Sequence, residues 1–203
     1  MQALIPVIIV LFVGLLIYGI VAAAKRRKEL QQWAQSHGLM YSQGKDRSFD
    51  NRYSFFKCLQ HGRSRYAHNI ITGQWGGLEV TCFDYHYKTG SGKNESTHTF
   101  SGTILRSPIM LKPLRLRREG IFDKIGEFFG VDDIDFESAE FSRKFYVSSP
   151  DKKWAYDVIH QRMMEYLLSA PPLNLAFGPI EVMAWDGRDW KPVSYTHLRA
   201  HET

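Results

Sequence analysis

Leu78–Thr89 reads LEVTCFDYHYKT, and the fold turns on it. Phe83, Tyr85 and Tyr87 alternate with Val80, Cys82, Asp84 and His86. A period of two sends these sets to opposite faces of a strand, and aromatic and β-branched residues suit a pleated surface. Gly90–Glu95 supplies turn chemistry, and Ser96–Leu105 (STHTFSGTIL) returns, so the pair reads as a β-hairpin with a polar, glycine-rich tip.

Working outward, Tyr53–Leu59 and Tyr66–Thr72 read as strands separated by a turn at His61-Gly62-Arg63. Met110–Arg118 alternates weakly and contains Pro113, which predicts an edge strand. Ile121–Phe129 predicts a short helix, and Arg143–Val147 a further strand. Ser149-Pro150-Asp151 predicts a helix start, with Ser149 at the N-cap, and the helix continues to about Ser169. Leu173–Phe177 and Ile180–Trp185 are strands, and Asp186-Gly187 predicts a hairpin turn into Trp190–Val193. Strands first, helices late and no regular βαβ alternation predict an α+β domain with a mostly antiparallel sheet and two packed helices.

Upstream, Leu4–Ala24 (LIPVIIVLFVGLLIYGIVAAA) carries no charge. At 1.5 Å per residue such a run makes a helix of about 31 Å, close to the ~30 Å of a bilayer core. A cleaved signal peptide would put basic residues ahead of a shorter run; here Met1-Gln2-Ala3 precedes it, although Val21-Ala22-Ala23-Ala24 offers small residues. Residues 1–24 are therefore expected to be a transmembrane anchor, 25–37 a basic juxtamembrane helix and 38–193 the α+β domain.

The chain carries a formal +5, and Lys25, Arg26, Arg27 and Lys28 supply four of those charges directly after the apolar run. The remainder is nearly neutral, which argues against a nucleic-acid partner, since a phosphate reader needs a basic face on its folded domain. Under the positive-inside rule the same four residues place the domain in the cytoplasm, as a single-pass protein of the inner membrane. They are the candidates for binding the membrane surface, with Arg115, Arg117 and Arg118 as further contacts to anionic lipid. An inverted topology would make the domain periplasmic.

Candidate chemistry is sparse. TGSGKNE at Thr89–Glu95 approaches a phosphate-binding loop, but Tyr87 stands where the first glycine belongs and Asn94 where the magnesium-binding hydroxyl belongs. Asp84, His86 and His98 could ligate zinc or iron if the hairpin register puts both histidines on one face; a shift of one residue sends them apart. His61, His68 and His160 show no ligand spacing. Asp132, Asp133, Asp135, Glu137 and Glu140 are dense, but Ile134 and Phe136 alternate with them, which predicts a half-buried strand rather than a calcium loop. Cys58 and Cys82 read as buried thiols in a reducing compartment, or as one bridge in an exported domain. No catalytic residue and no cofactor is assigned.

FDYHYKTGSGKNESTH at 83–98, DIDFESAEFSRKFYV at 133–147 and AYDVI at 155–159, with RRKELQQWAQSHGL after the apolar run, resemble a family of bacterial single-pass membrane-anchored proteins without known activity. The likeness runs to about Val193 and implies an anchor, one domain and a bacterial source. The reading that follows is a membrane-tethered, non-catalytic binding or scaffold module, its partners the bilayer and a membrane or cytoplasmic protein. The alternative is a membrane-associated enzyme using the 84–98 hairpin.

The final SYTHLRAHET, Ser194–Thr203, lacks the strand pattern that the preceding hairpin turn calls for and resembles foreign read-through. Its deletion should leave the thermal midpoint of unfolding unchanged within error; a clear drop would show that it packs.

Overall fold

The computed structural model describes residues 4–118 and 133–191, with side chains from Leu11 onward. Helix α1 spans Leu4–Ser36 without interruption. Strand β1 is Met40–Ser42, followed by a single helical turn, α2, at Phe49–Arg52 and a 3-10 turn at Lys57–Gln60. The long strands are β2 (Arg63–Trp75), β3 (Leu78–Thr89) and β4 (Ser96–Arg106). Then come β5 (Leu114–Arg118), α3 (Ala139–Lys144), β6 (Phe145–Ser148), α4 (Lys152–Val158), α5 (Gln161–Ser169), β7 (Asn174–Phe177) and β8 (Glu181–Trp185).

All eight of these strands form one sheet in the order β1-β2-β3-β4-β8-β7-β5-β6. Every neighbouring pair is antiparallel. The α+β architecture expected from the order of elements is thus the one found, and β3 and the β3–β4 hairpin fall where the alternation places them.

Both faces of the sheet are buried, each by a different part of the chain. Val80 and Cys82 point to the first face, where Leu30, Trp33 and Ala34 of α1 cover them together with Leu39 and Ile71. Further along this face, Phe141, Ala155, Ile159 and Leu167 of α3–α5 cover Leu114, Leu116, Val147 and Leu175. Phe83, Tyr85 and Tyr87 point to the second face and meet Phe49, Phe56, Cys58 and Leu59. That lid contains little regular structure and is pinned by polar contacts. The Tyr85 hydroxyl donates to the Leu59 carbonyl at 2.6 Å, and Arg65 donates to Asp50 at 2.7 Å.

Several expectations are corrected. Tyr53–Leu59 is not a strand; its apolar residues cap the aromatic face from outside the sheet. The strand that contains Arg115 is not at an edge: β5 lies between β7 and β6, and Pro113 sits just ahead of it, where it removes no ladder bond. Asp151, not Ser149, is the N-cap of α4, accepting from Trp154 N at 3.0 Å. The expected long helix is two, because His160 breaks it and caps α5. Residues 133–138 form no strand, yet Ile134 and Phe136 are buried as the alternation requires, and Asp132 lies outside the described residues. Trp190 is buried, and neither it nor Lys191 is in a strand; the rest of the expected return, residues 192–193, lies outside the described residues. The helix expected at Ile121–Phe129 and the tail at Ser194–Thr203 lie outside the described residues.

Helix α1 changes character along its length. Eight large apolar side chains between Leu11 and Val21 are 45–69% exposed, whereas Leu30 and Ala34 are wholly buried. Among the described residues no helix is long and apolar enough to cross a membrane. Residues 4–10, with which the apolar run begins, have no described side chains.

Leu30 therefore belongs to the core and Leu15 does not. Leu30→Ala should destabilise the domain by about 2–5 kcal/mol, the range for a buried leucine, and Leu15→Ala by under ~0.5 kcal/mol. Urea unfolding in detergent measures both.

Candidate functional site

Asp84 is 2% exposed, near the middle of the sheet. A carboxylate there is costly unless it is paired and hydrogen-bonded. The partner comes from the N-terminal helix: Arg26 Nη1 donates to Oδ2 at 2.5 Å and Nη2 to Oδ1 at 2.8 Å, a bidentate fork. Asn69 Nδ2 donates to Oδ2 at 2.7 Å and Ser101 Oγ to Oδ1 at 2.5 Å. Burial on its own would raise this carboxyl's pKa. The Arg26 guanidinium, by hydrogen bond and by charge, and the donors Asn69 and Ser101 outweigh it and hold Asp84 below the ordinary aspartate value.

Each donor is delivered by a local feature. Arg26 lies on the helical stripe that continues through Leu30, Trp33 and Ala34. Ser101 is directly opposite Asp84 in the β3–β4 register. Asn69 sits in a bulge of β2 between His68 and Ile71, with φ of +49°. Asparagine tolerates that conformation better than most residues, and the bulge turns its side chain onto the carboxylate while its Oδ1 accepts from Tyr41 at 2.8 Å. The chain's other end closes the cluster. Trp190 N donates to Ser101 Oγ at 2.7 Å, and the Trp190 carbonyl accepts from Arg26 Nε at 3.1 Å and Nη2 at 2.8 Å.

This arrangement is a joint, not a reaction centre. Four hydrogen bonds occupy the carboxylate, so Asp84 can neither take a proton nor bind a metal without dismantling the helix attachment. The sequence-level metal set is also taken apart. His86 pairs with Thr99 and His98 with Tyr87, so the two histidines lie on opposite faces. His86 stacks on Tyr66 at 4.4 Å, whereas His98 stacks on Tyr87 at 4.8 Å and bonds Thr89 at 2.8 Å. Among the described residues no three His, Cys, Asp or Glu side chains are grouped so as to hold a metal ion.

The remaining candidates disperse likewise. Arg26 turns inward, while Lys25 and Lys28 are exposed and Arg27 is half-buried, its Nε donating back to the Ala23 carbonyl. Arg115 and Arg117 are half-buried on the β5 face opposite Leu114 and Leu116, with Arg117 stacked over Tyr146 at 4.3 Å. Arg118 ends β5. Cys58 and Cys82 are free and lie in the cores on opposite faces of the sheet. Burial pushes the Cys82 thiol up to about 12, against a hydrogen bond from Thr103, so it is no nucleophile at neutral pH. An open groove of about 610 Å³ runs past His98, Thr99, Trp185 and Arg188. Asp186 in its wall is bound by Arg188 at 2.7 Å and Trp190 at 2.6 Å and is not free for acid–base work.

Sequence reasoning missed the Arg26–Asp84 joint, although its signal was present. An aspartate amid Val80, Cys82 and aromatic residues in a central strand requires a buried cation, and Arg26 shares the apolar stripe of its helix.

No family model and no curated protein matches this chain. Among solved structures it is similar to the crystal structure of the mycobacterial trehalose monomycolate transport factor A. The two share a TM-score of 0.62 at 16% identity over 85% of this chain and 88% of the other, a likeness of fold alone.

Removing Arg26 strands a buried charge. Arg26→Ala should cost about 3–5 kcal/mol at neutral pH. Because the folded pKa of Asp84 lies below its unfolded one, its contribution is present above the unfolded value and lost as pH falls through the folded one. Denaturant midpoints measured from pH 7 down to pH 3 should show this acid-side loss in the native chain. It should be smaller in Arg26→Ala, where burial no longer meets a guanidinium, and not abolished, because Asp46, Glu95, Glu140 and Asp151 are held low by other partners.

Proposed function

We propose that this protein is a single-pass, membrane-tethered and non-catalytic module, whose helix holds an α+β binding domain in a fixed pose at the cytoplasmic face of the inner membrane. The observation that carries this reading is the double nature of α1. One unbroken helix exposes apolar side chains on all sides between Leu11 and Val21, and from five residues later is locked into the domain core by Arg26, Leu30 and Ala34. Water does not favour such a bare apolar rod, and hydrocarbon does. Together with the uncharged residues from Leu4, the run is long enough to span with modest tilt.

Other observations agree. The most buried carboxylate near the expected reactive hairpin is fully engaged in structure, which supports binding over catalysis. The protein of similar fold is a trehalose monomycolate transport factor, and on that likeness we take the partner to be a membrane or cytoplasmic protein with a part in transport. Lys25, Arg27 and Lys28 remain for the anionic leaflet, each worth about 1 kcal/mol near the surface; their position after the span sets the cytoplasmic orientation.

Alkaline-phosphatase fusions placed after Lys191 should be inactive and fluorescent-protein fusions bright, and the chain should stay with the membrane through alkaline carbonate extraction. Release into the carbonate supernatant, or the opposite reporter pattern, would contradict the reading. Neutralising Lys25, Arg27 and Lys28 together should scramble the orientation while leaving the Arg26 joint intact.

A further inference from the structure

A cavity of about 30 Å³ remains where the 49–60 lid meets the β5–β6 end of the sheet. Ala176, Arg115 and Ser148 are successive register partners across β7, β5 and β6, so they share one face, and all three line it. Phe55, Phe56, Lys57 and Cys58 line it from the lid.

Most of the wall is apolar, and the exceptions are informative. Ser148 is 2% exposed, and its Oγ finds no hydrogen-bond partner among the described residues. A buried hydroxyl in that condition carries its full desolvation cost. The charged residues that line the cavity, Lys57 and Arg115, are both basic. A purely apolar plug would fill the space and leave the hydroxyl unpaired. The complement to this wall is a short apolar group joined to an anion that accepts hydrogen bonds.

Size narrows the class further. The cavity has room for roughly two water molecules, so the inserted apolar part is a side chain of a few carbons, with its anion bonded close by. In an extended peptide an acidic neighbour of an apolar residue points to the opposite face. The α-carboxylate of a chain's last residue does not; it shares a Cα with that residue's side chain.

Exposed apolar surface adjoins the cavity. Phe55, 37% exposed, rests on Gly178, where an added Cβ would meet its ring at 3.3 Å. The next residue, Pro179, accepts from Leu111 N at 2.8 Å. Ile109 and Met110, just ahead of Leu111, are 64% and 75% exposed. This strip offers a seat to the residues that precede a captured chain end.

We propose that the cavity captures the carboxyl terminus of a partner protein that ends in a small apolar residue such as valine. The side chain enters the cavity, the carboxylate meets Ser148, Lys57 and Arg115, and the preceding residues lie along Phe55, Ile109 and Met110. The proposal rests on the reading of the domain as a binding module and names the chemistry of its partner.

The test uses the full chain in detergent micelles and a fluorescein-labelled pentapeptide, Gly-Ala-Leu-Ala-Val, followed by fluorescence anisotropy. With a free carboxylate the peptide should bind saturably in the sub-millimolar range. The same peptide ending in a carboxamide should bind about tenfold more weakly, as should the free acid on Lys57→Glu, since each change removes a charge-assisted contact. Lys57 is exposed, so its replacement spares the fold. Ser148→Ala should weaken binding several-fold without lowering the thermal midpoint, because it removes a hydroxyl that is unpaired in the free domain. Free isovalerate should displace the peptide only at much higher concentration than unlabelled peptide does. Equal binding of acid and carboxamide, no saturable binding of either, or isovalerate competing as well as the peptide overturns the proposal. Each of these outcomes leaves the tether standing, because retention in the membrane is read separately by carbonate extraction.

Discussion

A carboxylate at the centre of a sheet has to be neutralised, and the whole arrangement of this protein follows from how Asp84 is. Its guanidinium comes from α1, its hydroxyl from the neighbouring strand, its amide from a bulge in β2, and the Trp190 backbone closes the ring. Three remote parts of the chain meet on two oxygens. Apolar packing of Leu30, Trp33 and Ala34 supplies adhesion between helix and sheet but little directional control, because a helix can slide by a turn over a greasy face. A bidentate fork has one geometry. A well-packed apolar replacement can equal a buried ion pair in stability; what the pair adds here is a fixed position for the helix.

Fixing the helix matters because the sheet offers no other firm seat for it. The first face is shared between α1 and the C-terminal helices, and the second is closed by the 49–60 segment, held by Tyr85, Asp50 and Arg65 rather than by long secondary structure. On the tethered reading proposed above, an unbroken helix that begins bare and apolar and ends clamped carries orientation from the bilayer to the domain. That property serves a tethered binding module. It offers nothing to a catalyst whose reactive groups would sit in the same joint.

The 84–98 hairpin illustrates how a sheet distributes chemistry. Its histidines, a residue apart in register from sharing a face, end on opposite sides, and each is occupied by an aromatic partner. The basic residues at its tip gather round Glu95 instead. Proximity in sequence thus produced a charged apex and not a metal site.

Local periodicity determined much of this protein. The two-residue alternation of LEVTCFDYHYKT fixed β3 and its two faces, the turn residues at Gly90–Glu95 fixed the hairpin, and the uncharged run from Leu4 marked α1 as a helix with an apolar half. These are properties of a few consecutive residues and their φ/ψ preferences. Tertiary structure alone decided the register that parts His86 from His98, the bulge that turns Asn69 onto Asp84, the burial of β5 between β6 and β7, and the use of Tyr53–Leu59 as a lid. It also decided that Arg26, one of four adjacent basic residues, turns inward. The reason is physical: a strand's period does not say which residue it opposes, and a buried charge selects its partner by desolvation, a quantity set by residues far away in the chain.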